Sequence, residues 1–175
     1  MFARLIRIIL TALCGLAVLA GGIEAQERAT ILATATVISS LTIVGTNNLQ
    51  FGSVTPGVNK SVDKATTGFA GEWTVNGTAS AELSIQFDLP DTMFTSDSLG
   101  RMRITFSNSD VSYGTLLSQQ TAPMGTLDPH GPAVQRLGAN GQMIVWIGGT
   151  VLPRISQTGG DYTAEVQLTV AYTGS

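Results

Sequence analysis

From Asp161 to Thr173 the chain alternates without interruption. Tyr162, Ala164, Val166, Leu168, Val170 and Tyr172 fall on one parity, and Thr163, Glu165, Gln167 and Thr169 on the other. A period of two fits a strand with one face buried and fits no helix. Full burial of a Val or Leu side chain contributes roughly 1.5–3 kcal/mol, so the pattern predicts a continuous strand near the middle of the core. Because this strand closes the chain, the fold turns on what pairs with its far edge.

Weaker versions of the same signal run through the rest of the chain. Ile31, Ala33, Ala35 and Val37 alternate with Thr30, Thr34 and Thr36, a strand with small residues on its apolar face. Leu41 to Val44 and Leu49 to Gly52 read as two strand pieces around an Asn-rich turn at Gly45 to Asn48. A modest strand is expected over Val58 to Ala65. Trp73 and Val75 lead into Asn76-Gly77, a tight-turn signal. After it Leu83, Ile85, Phe87 and Leu89 alternate with polar residues until Pro90. Asp91 to Leu99 reads as a loop or edge strand, followed by Met102, Ile104 and Phe106 alternating with Arg101, Arg103 and Thr105.

Between Ser107 and Asn140 local pairing is expected at most over Tyr113 to Leu117, and Pro123, Pro129 and Pro132 with many small residues predict an irregular connection. Met143 to Ile147 is a continuous apolar run into Gly148-Gly149, where a bulge or close backbone approach is expected. Seven to nine short strands with turn signals every 8–12 residues or so predict an all-β fold, an immunoglobulin-like antiparallel β-sandwich.

The N-terminus has the layout of a signal peptide. Arg4 and Arg7 precede an apolar run from Ile8 to Ala20, and cleavage is expected after Ala25. The expected organisation is a signal peptide over 1–25, an N-terminal strand over 26–40 and a sandwich domain over 41–175. The only cysteine, Cys14, lies in the apolar run, so the mature chain has no disulfide framework and no thiolate. Charged residues make up only 12% of the chain and the net charge is −3, which argues against an electrostatic nucleic-acid interface. No second long apolar segment follows the leader, so no stable membrane span is expected after its removal.

Four pieces taken in order resemble the bacterial secreted family catalogued as domain of unknown function 4402. They are Ala33-Thr34-Ala35-Thr36 leading to Leu41-Thr42-Ile43, then Leu49-Gln50-Phe51-Gly52, then Ile147-Gly148-Gly149-Thr150-Val151, then Gly160-Asp161-Tyr162-Thr163 leading to Val166 through Tyr172. That family is similar to the spore-coat-U-type and archaic chaperone–usher pilins, which share an apolar N-terminal extension, a Phe-Gly after the first strand and a Tyr near the chain end. Many of those pilins carry a cysteine pair near the first strand, and this chain does not.

The resemblance implies a sandwich lacking its last strand, whose open groove is filled by β-strand addition. Its acceptor edge would be Val166, Leu168, Val170 and Tyr172, and its donor Thr30 to Ser39, inserting Ile31, Ala33, Ala35 and Val37. Like subunits would join head to tail, an arrangement that does not close and so makes a filament. A periplasmic chaperone and an outer-membrane usher are the further partners implied. The implied location is the periplasm in transit, then the surface of a Gram-negative bacterium.

Chemistry-bearing residues are sparse. His130 is the only histidine and sits between Pro129 and Gly131. Without cysteine or ligand-like spacing it reads as a loop residue and not a metal ligand. Asp88 and Asp91 flank Leu89-Pro90 and read as a solvated turn. Trp73 and Trp146 could stack on sugars but sit in apolar patterns that read as core. No Gly-x-Ser-x-Gly elbow or phosphate-binding loop occurs, so no enzyme and no cofactor is expected. The leading expectation is a non-catalytic subunit of a secreted fibre. The alternative is a monomeric secreted binding module that uses loops such as Asp110 to Asn140 to touch glycan or host protein.

Overall fold

The computed structural model describes residues 40–174 and is all-β. The donor residues Ile31, Ala33, Ala35 and Val37 lie outside the described residues. Among those described are thirteen strands and a single-turn 3-10 helix at Leu117–Gln119. All ladders are antiparallel. No described helix is long and apolar enough to cross a membrane.

One layer is a five-stranded sheet. Its order is β1 (Thr42–Asn47), β3 (Gly71–Asn76), β10 (Gln142–Ile147), β7 (Val111–Gly114) and β8 (Gly125–Leu127). Facing it is a three-stranded sheet of β13 (Gln167–Tyr172), β4 (Glu82–Asp88) and β9 (Ala133–Arg136). The alternation in β4 turns Leu83, Ile85 and Phe87 inward, where they meet Val75, Met143, Val145 and Ile147 from the opposite sheet. This is the larger core.

A third sheet has five strands. It runs β12 (Tyr162–Thr163), β5 (Thr92–Thr95), β6 (Arg101–Thr105), β11 (Gly149–Leu152) and β2 (Lys60–Val62). Its buried face, with Met102, Ile104, Val151 and Val62, packs under Phe51 to form a second core. Phe106 packs against both cores.

Gly148 is where the chain passes from one sheet to another, between β10 and β11. A Cβ there would strike the Val62 carbonyl oxygen and come within 2.8 Å of the Lys64 amide nitrogen. This is the close backbone approach expected of the glycine pair.

Several expectations are corrected. The terminal segment is not one strand: β12 pairs with β5, β13 pairs with β4, and Ala164 to Val166 carry the chain between sheets. Its alternation survives the break, but it forms an edge with a half-buried face and not the middle of the core. Leu49 to Gly52 forms no strand; Phe51 is buried from a loop, and Gly52 turns with φ 61°. Gly45 to Asn48 is no free turn, because β1 runs on to Asn47 over a bulge. The Val58 to Ala65 strand shrinks to β2.

Asn76-Gly77 makes no hairpin, because β3 and β4 belong to different sheets. The left-handed residue of that connection is Ser80, with φ 59°. The stretch from Ser107 to Asn140 is far more regular than expected and supplies β7, β8 and β9. Its prolines stand outside those strands, and Pro129 is fully buried in the connection between β8 and β9.

Candidate functional site: an open groove between two strand edges

The two sides of the larger core close differently. At one side β8 and β9 are edge strands joined by Asp128 to Pro132, and Leu127, Pro129 and Leu137 are buried there. At the other side β1 and β13 are also edge strands, but among the described residues nothing pairs with the far flank of either. A sheet edge of this kind presents N–H and C=O groups on which another strand can be added.

The side chains along this seam are only half covered. Val166, Leu168, Val170 and Tyr172 pack against the larger core yet remain partly exposed. Their pairing partners do not: Ile85, opposite Val170, and Leu83, opposite Tyr172, are fully buried. On the facing edge, Ile43 lies opposite buried Val75 and is still 36% exposed. Edge position accounts for both, since a side chain on the last strand lacks a neighbour on one side.

The seam opens into a cavity of about 360 Å³. Gly45, Asn47 and Leu49 form one wall, and Ala164 and Val166 the other. Trp73 contributes to the floor. Gly45 lies opposite Trp73 across the ladder, and a Cβ on Gly45 would sit 3.8 Å from the indole. The absent side chain leaves the Trp73 ring accessible from the seam. Trp73 meets Phe87 edge-on at 6.3 Å, which fixes its position.

A second cavity of about 730 Å³ shares Leu49, Phe51, Met93 and Tyr162 with the first. The groove therefore continues past Tyr162 toward Gln157. At the opposite end stands Tyr172, whose hydroxyl accepts a hydrogen bond from the Thr78 amide at 2.8 Å and lies 3.4 Å from the Ser40 carbonyl oxygen. The strand part of this wall is β13, six residues from Gln167 to Tyr172, roughly 20 Å at the rise of a strand.

All four residues expected on the acceptor edge thus line one seam. Sequence reasoning missed the other wall. The free flank of β1 was masked by the reading of Gly45 to Asn48 as a turn, and Leu49 and Phe51 face the groove from a loop whose spacing carries no period. The available signal was Gly45 standing within a strand, which marks a place where something approaches closely.

Residues weighed for chemistry lie elsewhere. His130 is an exposed loop residue whose Nδ1 is 3.0 Å from Asp128. The His130 backbone amide, with its ring, holds the Asp128 carboxyl below its ordinary value. Asp88 and Asp91 are both exposed. Arg101 and Arg103 are exposed on the outer face of β6, with Arg101 stacked 5.5 Å from the Phe94 ring.

Trp146 is completely buried on the opposite face of β10 from the larger core, and its indole N–H donates to Glu72 at 2.8 Å. Among the described residues no group of three or more His, Cys, Asp or Glu side chains is placed to hold a metal. No protein-family model matches the chain, and no curated protein matches it.

Proposed function

We propose that the protein is a non-catalytic structural subunit of a secreted cell-surface fibre, in which Thr30 to Ser39 of one copy adds as a strand to the groove of the next. The observation that carries this reading is the pair of edges β1 and β13, neither with a second partner among the described residues, facing each other across a half-covered apolar seam. A Val or Leu gains roughly 1.5–3 kcal/mol on full burial, so each half-covered side chain leaves part of that gain for an incoming strand. Main-chain hydrogen bonds to the two edges would add affinity, and Ile31, Ala33, Ala35 and Val37 would supply the side chains.

Export by the N-terminal leader, passage through the periplasm with a chaperone and usher, and display at the surface belong to the same reading. The test is to express the mature chain with and without residues 26–40 and run both unboiled on denaturing gels. Heat-sensitive ladders from the longer chain alone are expected. Monomers from both under all conditions overturn the proposal.

A monomeric binding module is the second reading. It is favoured by Leu116, Leu117 and Met124, which are exposed on the connection between β7 and β8. Binding to a glycan array by a chain that makes no ladders would decide for it.

A further inference from the structure

The chain has one Asp-Pro bond, between Asp128 and Pro129, and it lies in the connection that joins edge strands β8 and β9. Leu127 and Pro129 are buried on either side of it, while Asp128 and His130 face solvent. Both flanks of the bond are anchored, and its acid stands in water. Asp128 Oδ1 accepts the His130 main-chain amide at 2.9 Å and lies 3.0 Å from His130 Nδ1. With Oδ1 engaged by both, Oδ2 is the oxygen left for chemistry. The His130 amide, and after it the His130 ring, hold this carboxyl below its ordinary value of 3.8, so it stays ionised in mild acid. Among the described residues no other charged group shifts it.

An ionised Asp carboxyl can attack the main-chain carbonyl carbon of its own residue, closing a five-membered ring, and a reaction between groups already held together gains heavily from proximity. The usual competitor is closure of the next residue's amide nitrogen onto the side chain. Pro129 has no N–H, so that route is shut. Its nitrogen leaves as an amine only when it takes up a proton, which calls for an acid beside the bond. A histidine ring becomes such an acid as it gains its charge, which for this side chain in general happens between about pH 8 and pH 5.

We propose that the Asp128-Pro129 bond is a self-cleavage site, cut by the Asp128 carboxylate with His130 as the acid. Asp128 Oδ2 bonds to the Asp128 main-chain carbon, the C–N bond to Pro129 breaks, and the His130 imidazolium gives its proton to the departing Pro129 nitrogen. Asp128 is left as a cyclic anhydride, which one water opens to two carboxyls. Nothing is oxidised or reduced, and the reaction runs once per molecule. The two halves stay joined by their ladders, because β8 pairs with β7, β9 pairs with β4, and β10 lies between β3 and β7. The bond stands apart from the groove between β1 and β13, so the inference does not depend on the fibre reading.

The test takes the purified chain 26–175 at pH 5 and at pH 8 and follows intact mass and denaturing gels over days. At pH 5 wild type is expected to yield fragments 26–128 and 129–175, whose masses add to the parent plus one water, while gel filtration without denaturant keeps them together. At pH 8 the cut should be slower by about a hundredfold, the low end of what a positioned acid contributes. Asp128→Asn should stay whole. Asp128→Glu, which needs a six-membered ring, should cut more slowly, and His130→Gln should cut at pH 5 no faster than wild type does at pH 8. Circular dichroism at both pH values checks that each variant is folded.

Wild type that stays whole at pH 5 overturns the proposal, as does cutting of Asp128→Asn at the same bond. A His130→Gln rate equal to that of wild type at pH 5 overturns it too, since the site would then show only the ordinary acid lability of an Asp-Pro bond.

Discussion

The Tyr172 hydroxyl accepts the Thr78 amide at 2.8 Å across 94 positions of sequence, and the residue before Thr78 is a glycine because the phenol leaves no room for more. A Cβ at Gly77 would collide with the hydroxyl and stand 2.9 Å from Leu137 Cδ1. Gly77→Ala should therefore cost about 1–3 kcal/mol through overpacking. Urea titration checks this, and a variant with wild-type stability would show that the end of the sandwich yields freely. Tyr172→Phe should relieve part of the defect when combined with it, because the oxygen is the nearest atom.

Gly148→Ala should be worse. The obstacles are main-chain atoms of Val62 to Lys64, at the end of β2 and just beyond it, which cannot rotate away as a side chain can. A loss above about 3 kcal/mol, or failure to fold, is the expected outcome. Thermal denaturation of the purified variant measures it.

Trp146→Phe removes a buried indole and leaves Glu72 without one of its donors. The same carboxylate accepts the Thr46 hydroxyl at 2.6 Å, so the indole is tied through Glu72 to edge strand β1. The expected cost is about 1–3 kcal/mol, from lost packing and a lost hydrogen bond to a charged group. Hydrogen exchange should show the amides of β1 losing protection first.

Leu168→Asp sets a charge on the half-buried face of edge strand β13. On the proposed fibre function, ladder formation should be abolished, while far-ultraviolet circular dichroism stays that of a β-sandwich. A ladder of normal length from this variant would remove β13 from the assembly surface.

Asp97 responds to acid. The Thr95 hydroxyl, and after it the Leu99 amide, hold its carboxyl below the ordinary value of 3.8. A lowered carboxylate adds stability that is complete above the unfolded value and is lost as pH falls through the folded one. The turn at Thr95 to Gly100, where Ser98 has φ 60°, should therefore loosen only below the usual carboxylate range. An NMR titration of Asp97 with exchange at the Leu99 amide follows this. Asp97→Asn should abolish the acid-dependent step.

The alternating pattern made β4, β6 and the terminal segment legible, because one buried face leaves a period of two in the letters. It failed for β7, β8 and β9, whose residues are small or sit at edges, so burial is shared between faces and the period fades. Asn76-Gly77 misled for a definite reason: that glycine answers the Tyr172 phenol and not a tight turn, and no local reading could see a partner so far away. The wall formed by β13 was visible in its apolar parity. The opposite wall was not, because Gly45 contributes by lacking a side chain and Leu49 and Phe51 by a loop that only the fold aims.

β10 and β11 are a single ribbon interrupted at Gly148, and each half belongs to a different sheet. Loss of either ladder frees one end of that shared ribbon, so heating should dissolve both cores in one sharp transition. The two cores are spliced through one run of backbone, and strain in either is handed to the other across Ile147 to Gly149.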